Sequence, residues 1–148
     1  MEFQTLFTES KGQPIYYKGR ELHLANKIFL TKNEITVDVE FISTNSKWAQ
    51  GIVIGTKGYF KVNNQILPFK IVLWEDTAPK KVSIEIFSKD KKVNVYNVWR
   101  TTDGTVDYGH NGAAFYIEKI EDSFVYYCND GCPDDDFDDL IFKVKVHQ

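Results

Sequence analysis

At 148 residues, with 43% hydrophobic and 26% charged residues and only four prolines, the chain has the make-up of one ordinary globular domain (residues 1–148) that buries enough surface to fold without staples, which excludes disordered and fibrous classes. The formal charge is −3, yet Asp130, Asp134, Asp135, Asp136, Asp138 and Asp139 carry six of the 21 acidic charges, and without them the remainder stands at −3 + 6 = +3. With the acidity so local there is no overall basic face for duplex nucleic acid and no polybasic attraction to anionic lipid, and no apolar run approaches the ~20 residues of a membrane span, so neither nucleic acid nor a membrane span is expected.

From the N-terminus, Phe3, Thr5 and Phe7 alternate with Glu2, Gln4 and Leu6, and Lys11-Gly12-Gln13-Pro14 interrupts the run before Ile15-Tyr16-Tyr17. This reads as a first hairpin. Residues 18–26 fit a helical turn or a short strand, strand being preferred. Ile35, Val37, Val39 and Phe41 then alternate with Thr36, Asp38 and Glu40, the pattern of a strand with one buried and one wet face. Thr44-Asn45-Ser46 is read as a turn, Trp48 to Thr56 as a strand and Lys57-Gly58 as a further turn. Asn63-Asn64 reads as the tight turn of a hairpin leading into Ile66 to Trp74, where Pro68 marks a strand start or a sheet edge. Lys81 to Phe87 and Val93 to Trp99 read as two strands separated by a turn at Lys89-Asp90-Lys91. No stretch holds apolar residues at helical spacing over a dozen positions. The expected fold is all-β, an antiparallel β-sandwich of jelly-roll or Greek-key type with little helix.

Residues 100–112 (RTTDGTVDYGHNG) form the longest stretch of turn chemistry before the C-terminal motif. Loops of this kind carry function on rigid β scaffolds, which makes Asp107, Tyr108, His110 and Asn111 candidate ligand-binding residues. Trp48, Trp74 and Trp99, with Tyr59 and Tyr108, read as core or sheet-face packing in preference to a platform for sugar rings. Residues 113–120 and 122–127 read as a pair of strands around Glu121-Asp122.

The stretch CNDGCPDDDFDDLIFKVKV, residues 128–146, is unlike the rest of the chain. Leu140, Phe142, Val144 and Val146 share one face of a final strand, whose register core burial sets. The aspartates before it crowd together, and each pair of carboxylates ~5 Å apart repels by roughly 0.8 kcal/mol even in bulk water. They either splay into solvent or surround a cation. Asn129, Asp130, Asp134, Asp136, Asp138 and Asp139 are the candidate metal ligands, and calcium, which takes carboxylate and carbonyl oxygens in flexible geometry, is the candidate ion. The offsets do not fit an EF-hand loop. Cys128 and Cys132 would close only a tiny loop if bridged; two free thiols are the favoured reading, and zinc lacks further ligands at finger spacing.

The segment DDDFDDLIFKV resembles the D-x-D-[FYM]-[ND]-D-[LV] signature near the C-terminal strand of secreted bacterial β-sandwich domains, including those of surface proteins with a sorting tail, where it is taken to bind calcium. Residue by residue, the resemblance puts Asp134, Asp136, Asp138 and Asp139 on the acidic positions and Phe137 and Leu140 on the apolar ones. It covers about a dozen residues. Where those domains carry an apolar-acidic segment before the motif, this chain has Tyr126-Tyr127-Cys128-Asn129.

No G-x-S-x-G elbow, P-loop or H-E-x-x-H motif is present, so a metal-assisted hydrolase built on the aspartates and His110 ranks last. The expectation is a non-enzymatic, calcium-stabilised binding module for a protein or glycan ligand. The alternative is a small cytosolic immunity-type or interaction protein without a metal. The first residues, MEFQTLFTES, lack the features of a secretory signal, which slightly favours the cytoplasm; the sequence carries no indication of oligomeric state.

Overall fold

The computed structural model describes residues 3–132, 134 and 136–147. It is an antiparallel, sandwich-like all-β fold with one short helix, α1 (Gln4–Glu9). A two-stranded hairpin, β1 (Ile15–Tyr17) and β2 (Arg20–Leu22), precedes the main sheet. The turn between them uses Lys18 and Gly19, both at positive φ (49° and 79°), the backbone that a tight two-residue hairpin demands.

The main sheet has nine strands: β3 (Asn26–Phe29), β4 (Glu34–Thr44), β5 (Ala49–Val62), β6 (Gln65–Trp74), β7 (Lys81–Arg100), β8 (Val106–Asp107), β9 (Ala114–Ile120), β10 (Ser123–Asn129) and β11 (Leu140–His147). Its path runs β6-β5-β7-β4-β11-β10-β9, with β3 and β8 added along β7. The last strand is thus an inner one, held by β10 on one side and β4 on the other. Leu140, Phe142, Val144 and Val146 are all buried, as their alternation requires. The turn at Asn63-Asn64 (φ 48° and 65°) links β5 to β6, and β6, which contains Pro68, forms a free edge of the sheet.

Two expectations are corrected here. Phe3 to Phe7 is helical. The same two phenylalanines that alternate in a strand also lie one helical turn apart, and α1 turns both into a satellite core with Leu22, Ala114 and Phe137. The helix stops where Lys11 and Gly12 go to positive φ and the Gly12 N–H bonds the Phe7 carbonyl at 2.8 Å. Lys57-Gly58 and Lys89–Lys91 likewise do not end strands. They are kinks inside β5 and β7, which run for 14 and 20 residues. At Gly58 the chains approach so closely that a Cβ would lie 1.8 Å from the Phe87 carbonyl oxygen, so only glycine fits. Lys91 adopts φ 56°, and the Ser88 hydroxyl oxygen and the Asp90 carboxylate both accept from the Lys92 N–H. These kinks let β7 change neighbours: residues 81–87 pair with β4, and residues 92–95 pair with β3 on the same side. The sheet rolls at that exchange and encloses the main core, which includes Ile52, Ile54, Ile84, Ile86, Val95, Phe115 and Phe142.

Candidate functional site

The acidic turn between β10 and β11 is built on Asn129, whose side chain is wholly buried. Its Oδ1 accepts the Phe137 N–H (2.7 Å), its Nδ2 donates to the Asp134 carbonyl (2.8 Å), and its own carbonyl accepts Asn97 Nδ2 (3.0 Å). This fixes Phe137 at φ 55°, a conformation that bulky residues avoid, and drives its ring into the satellite core against Phe3 and Tyr116. Asn129, grouped by sequence with the metal ligands, thus shapes the turn.

Among the described residues Asp130 and Asp139 are the two buried aspartates, at 0% and 6% exposure. Asp130 Oδ2 accepts the Ser46 hydroxyl (2.5 Å) and Gln50 Nε2 (3.1 Å), and its Oδ1 accepts the Cys132 N–H (3.0 Å). Asp139 Oδ2 accepts the Asp130 N–H (2.9 Å). Every one of these donors is neutral, and among the described residues neither carboxyl is ion-paired. Burial, with the Asp130 carboxyl adding to it, pushes the Asp139 carboxyl up to about 7. Beside them Gln50, 1% exposed, has a buried Oε1 without a hydrogen-bond partner. Burial also raises the thiols of Cys128 and Cys132, reinforced by Asp139 for the first and Asp130 for the second. Both thiols are free, as expected.

Asp134, Asp136 and Asp138 do not join that pair. Asp134 Oδ1 accepts the Asp136 N–H in a local turn (3.4 Å), and burial, then the nearby Asp136, Asp130 and Asp138, raise its carboxyl. Asp138 Oδ2 accepts Asn45 Nδ2 (2.9 Å), and Asp136 is exposed. Asp135 lies outside the described residues. Among the described residues no three His, Cys, Asp or Glu side chains are grouped to hold a metal ion. The oxygen donors that converge are the carboxyls of Asp130 and Asp139, with the Gln50 amide adjoining Asp130. Because the Asn45–Asp138 bond is solvent-exposed, Asn45→Ala is expected to cost under about 1 kcal/mol in denaturant titration.

The second candidate region is the loop after β7. Tyr108 and His110 line a groove of about 710 Å³ together with Gln4, Thr8 and Lys11 from α1 and its following turn, and Asn94 and Tyr96 from β7. Tyr108 is 60% exposed and its ring packs at 5.4 Å, tilted, against Tyr96. Asp107 and Asn111 flank this groove. The Asp107 carboxylate is 4.0 Å from His110 Nε2, and the Asn111 carbonyl takes the Phe3 and Gln4 N–H groups while its own N–H donates to Gln4 Oε1. Asn111 therefore fastens α1 over the groove. Trp99 is buried beneath Gly131, where a Cβ would approach its ring to 2.9 Å, and Trp74 lies under the Arg100 guanidinium; both pack against the sheet as expected.

Ser46, Gln50 and Asn97 were not legible as site residues, since they lie on or beside strands that do not pair with β10 and meet Asn129 and Asp130 only through side-chain hydrogen bonds in the folded chain. The chain matches no family model, no curated protein and no solved structure with which it was compared. Among the described residues no helix is long and apolar enough to cross a membrane.

Proposed function

We propose that this chain is a non-enzymatic binding module on a sandwich-like β scaffold, its acidic turn held by a cation, with calcium as the first candidate. The observation that carries this reading is the buried pair Asp130–Asp139, which meets only neutral donors. Two carboxylates removed from water and set against each other are costly unless a positive charge joins them. Their oxygens and the partnerless Gln50 Oε1 are the hard donors calcium prefers; an ion taking about six to eight oxygens would draw the rest from carbonyls and water. The ion's contribution is charge neutralisation. The groove beside Tyr108 and His110 is the ligand site of the module.

A thermal melt in millimolar calcium against chelator tests the cation. At a hundredfold excess over its dissociation constant, a site present only in the folded state adds about 2.7 kcal/mol, or roughly 5–10 °C for a domain of this size. Asp139→Asn is expected to abolish the rise. A rise that persists in Asp139→Asn moves the site elsewhere. No rise in the wild type selects the second reading, an interaction protein without a metal, which is favoured by the internal donors already occupying oxygens of Asp130, Asp134, Asp138 and Asp139.

A further inference from the structure

The groove does not end at Tyr96. Asn94 also lines a second depression of about 290 Å³ bordered by Lys27, Gly55, Lys57 and Lys92, so the two form one trench across the outer face of the sheet. Strand register explains its floor. Lys27 on β3 pairs with Asn94 on β7, Asn94 with Gly55 on β5, and Gly55 with Lys70 on β6. Directly paired residues of antiparallel strands project to the same face, so these four make a row about 14 Å long from lysine to lysine. Gly55, in the middle, has no side chain. Packing does not require that glycine: its φ is not positive, and a Cβ there would meet only the Phe69 carbonyl oxygen at 3.6 Å, an ordinary contact.

The electrostatics of the trench are one-sided. Lys11, Lys27, Lys57, Lys70 and Lys92 are exposed around it, and none forms an ion pair among the described residues. Among the described residues Asp90 is the one carboxylate lining it, its oxygen engaged by the Ser88 hydroxyl and the Lys92 N–H, while Asp107 flanks it with its carboxylate turned to His110. Between the lysines lie the rings of Tyr96 and Tyr108 and the amides of Asn94 and Gln4. A chain carrying overall charge −3 thus presents a local cationic face fitted with aromatic rings and amides.

We propose that this trench binds an acidic oligosaccharide, its carboxylate or sulfate groups on the lysines, the apolar face of a sugar ring on Tyr108, and its hydroxyls on Asn94, Gln4 and His110. The proposal rests on the reading of the chain as a binding module. Tyr96 and Tyr108 pack against each other at 5.4 Å with planes tilted by 47°, so the trench offers one well-exposed ring, Tyr108, and not the succession of ring faces on which single-stranded nucleic acid stacks its bases, which favours a saccharide. Glycine at position 55 admits the bulk of a sugar ring to the floor.

The test is titration calorimetry of the full chain with heparin-derived and polygalacturonate-derived oligosaccharides, with dextran and poly(U) as comparison probes. Binding of at least one acidic oligosaccharide is expected, weakened by added salt and absent for dextran. Gly55→Thr, a substitution suited to a strand, fills the floor and is expected to lower affinity at least tenfold with an unchanged melting temperature. Lys27→Ala combined with Lys70→Ala is expected to do the same without added bulk, and serves if Gly55→Thr folds poorly. Poly(U) binding as tightly as the acidic sugars, wild-type affinity in both variants, or no acidic oligosaccharide bound at millimolar concentration each overturns the proposal. Dextran binding that is lost in Tyr108→Ala overturns the acidic class while upholding the groove as a ligand site. The calcium melt is read separately, so failure of the cation reading is not mistaken for failure here.

Discussion

Replacing Asn129 with alanine is expected to destabilise the fold by about 3 kcal/mol, read as a lower midpoint in denaturant titration at constant slope. Two short bonds are lost, to the Phe137 N–H and the Asp134 carbonyl, and the Phe137 N–H is left buried without a partner. Such an orphaned group costs about 1–3 kcal/mol. The backbone adds to this, because Phe137 holds φ 55° only while the Asn129 side-chain Oδ1 grips its N–H. Once it relaxes, the Phe137 ring leaves Phe3, Phe7 and Leu22, and α1 and the β1–β2 hairpin lose their anchor on the acidic turn. Near-ultraviolet circular dichroism should therefore change more than the far-ultraviolet signal of the main sheet. A loss below about 1 kcal/mol would mean that Phe137 is held by its own burial alone. Asn129→Asp keeps the acceptor, loses the donor to Asp134, and adds a charge next to Asp130; it should be no milder than alanine.

What could be read from residue order follows the range of the interactions involved. The final strand was legible because Leu140, Phe142, Val144 and Val146 alternate without interruption, and that alternation is a local consequence of burial on one face. The Asn63-Asn64 turn and the edge position of Pro68 were legible for similar reasons, since positive φ and a missing N–H restrict where residues can go. At Phe3 and Phe7 the spacing satisfies a strand and one helical turn equally, and only the docking of α1 against Leu22 and Phe137 decides it. The kinks at Gly58 and Lys91 carry turn chemistry, but β5 and β7 pair with each other before and after both of them, which keeps the two strands running through. Within the site, Tyr108 and His110 announced themselves through loop composition. Gln50 and Ser46 did not, because they reach Asp130 from 80 and 84 residues away. The row from Lys27 to Lys70 was likewise hidden: it exists only once four strands are in register.

In chelator, the wild-type protein is expected to lose stability as pH rises from 5 to 8, and Asp139→Asn is expected to remove most of that dependence. The folded state holds the Asp139 carboxyl at about 7, above its ordinary 3.8, so folding favours the protonated form. Stability from this group is fully present below about pH 4 and disappears as pH climbs through 7. The rise from 3.8 to about 7 corresponds to about 4 kcal/mol at most, and because Asp139 faces a second carboxyl, that of Asp130, about 2 kcal/mol is the working figure. The groups acting on it, Asp130 and Asp134, are both acidic, and the Cys128 thiol beside it is raised well above its usual value and stays neutral, so nothing in the cluster reverses the sign. At the acid end the trend turns over through groups such as Asp38, whose carboxyl is lowered by the Ser83 hydroxyl and by His147 and so contributes stability that is lost as it protonates. Calcium and protons then compete for the same pair. Its stabilising effect should be larger at pH 8 than at pH 5 and should flatten the wild-type profile, whereas Asp139→Asn should keep little of the downward pH slope and show no calcium response. A pH slope without a calcium response would identify the proton as the only positive charge the pair takes up, and a calcium response of equal size at both pH values would place the ion on residues other than Asp130 and Asp139.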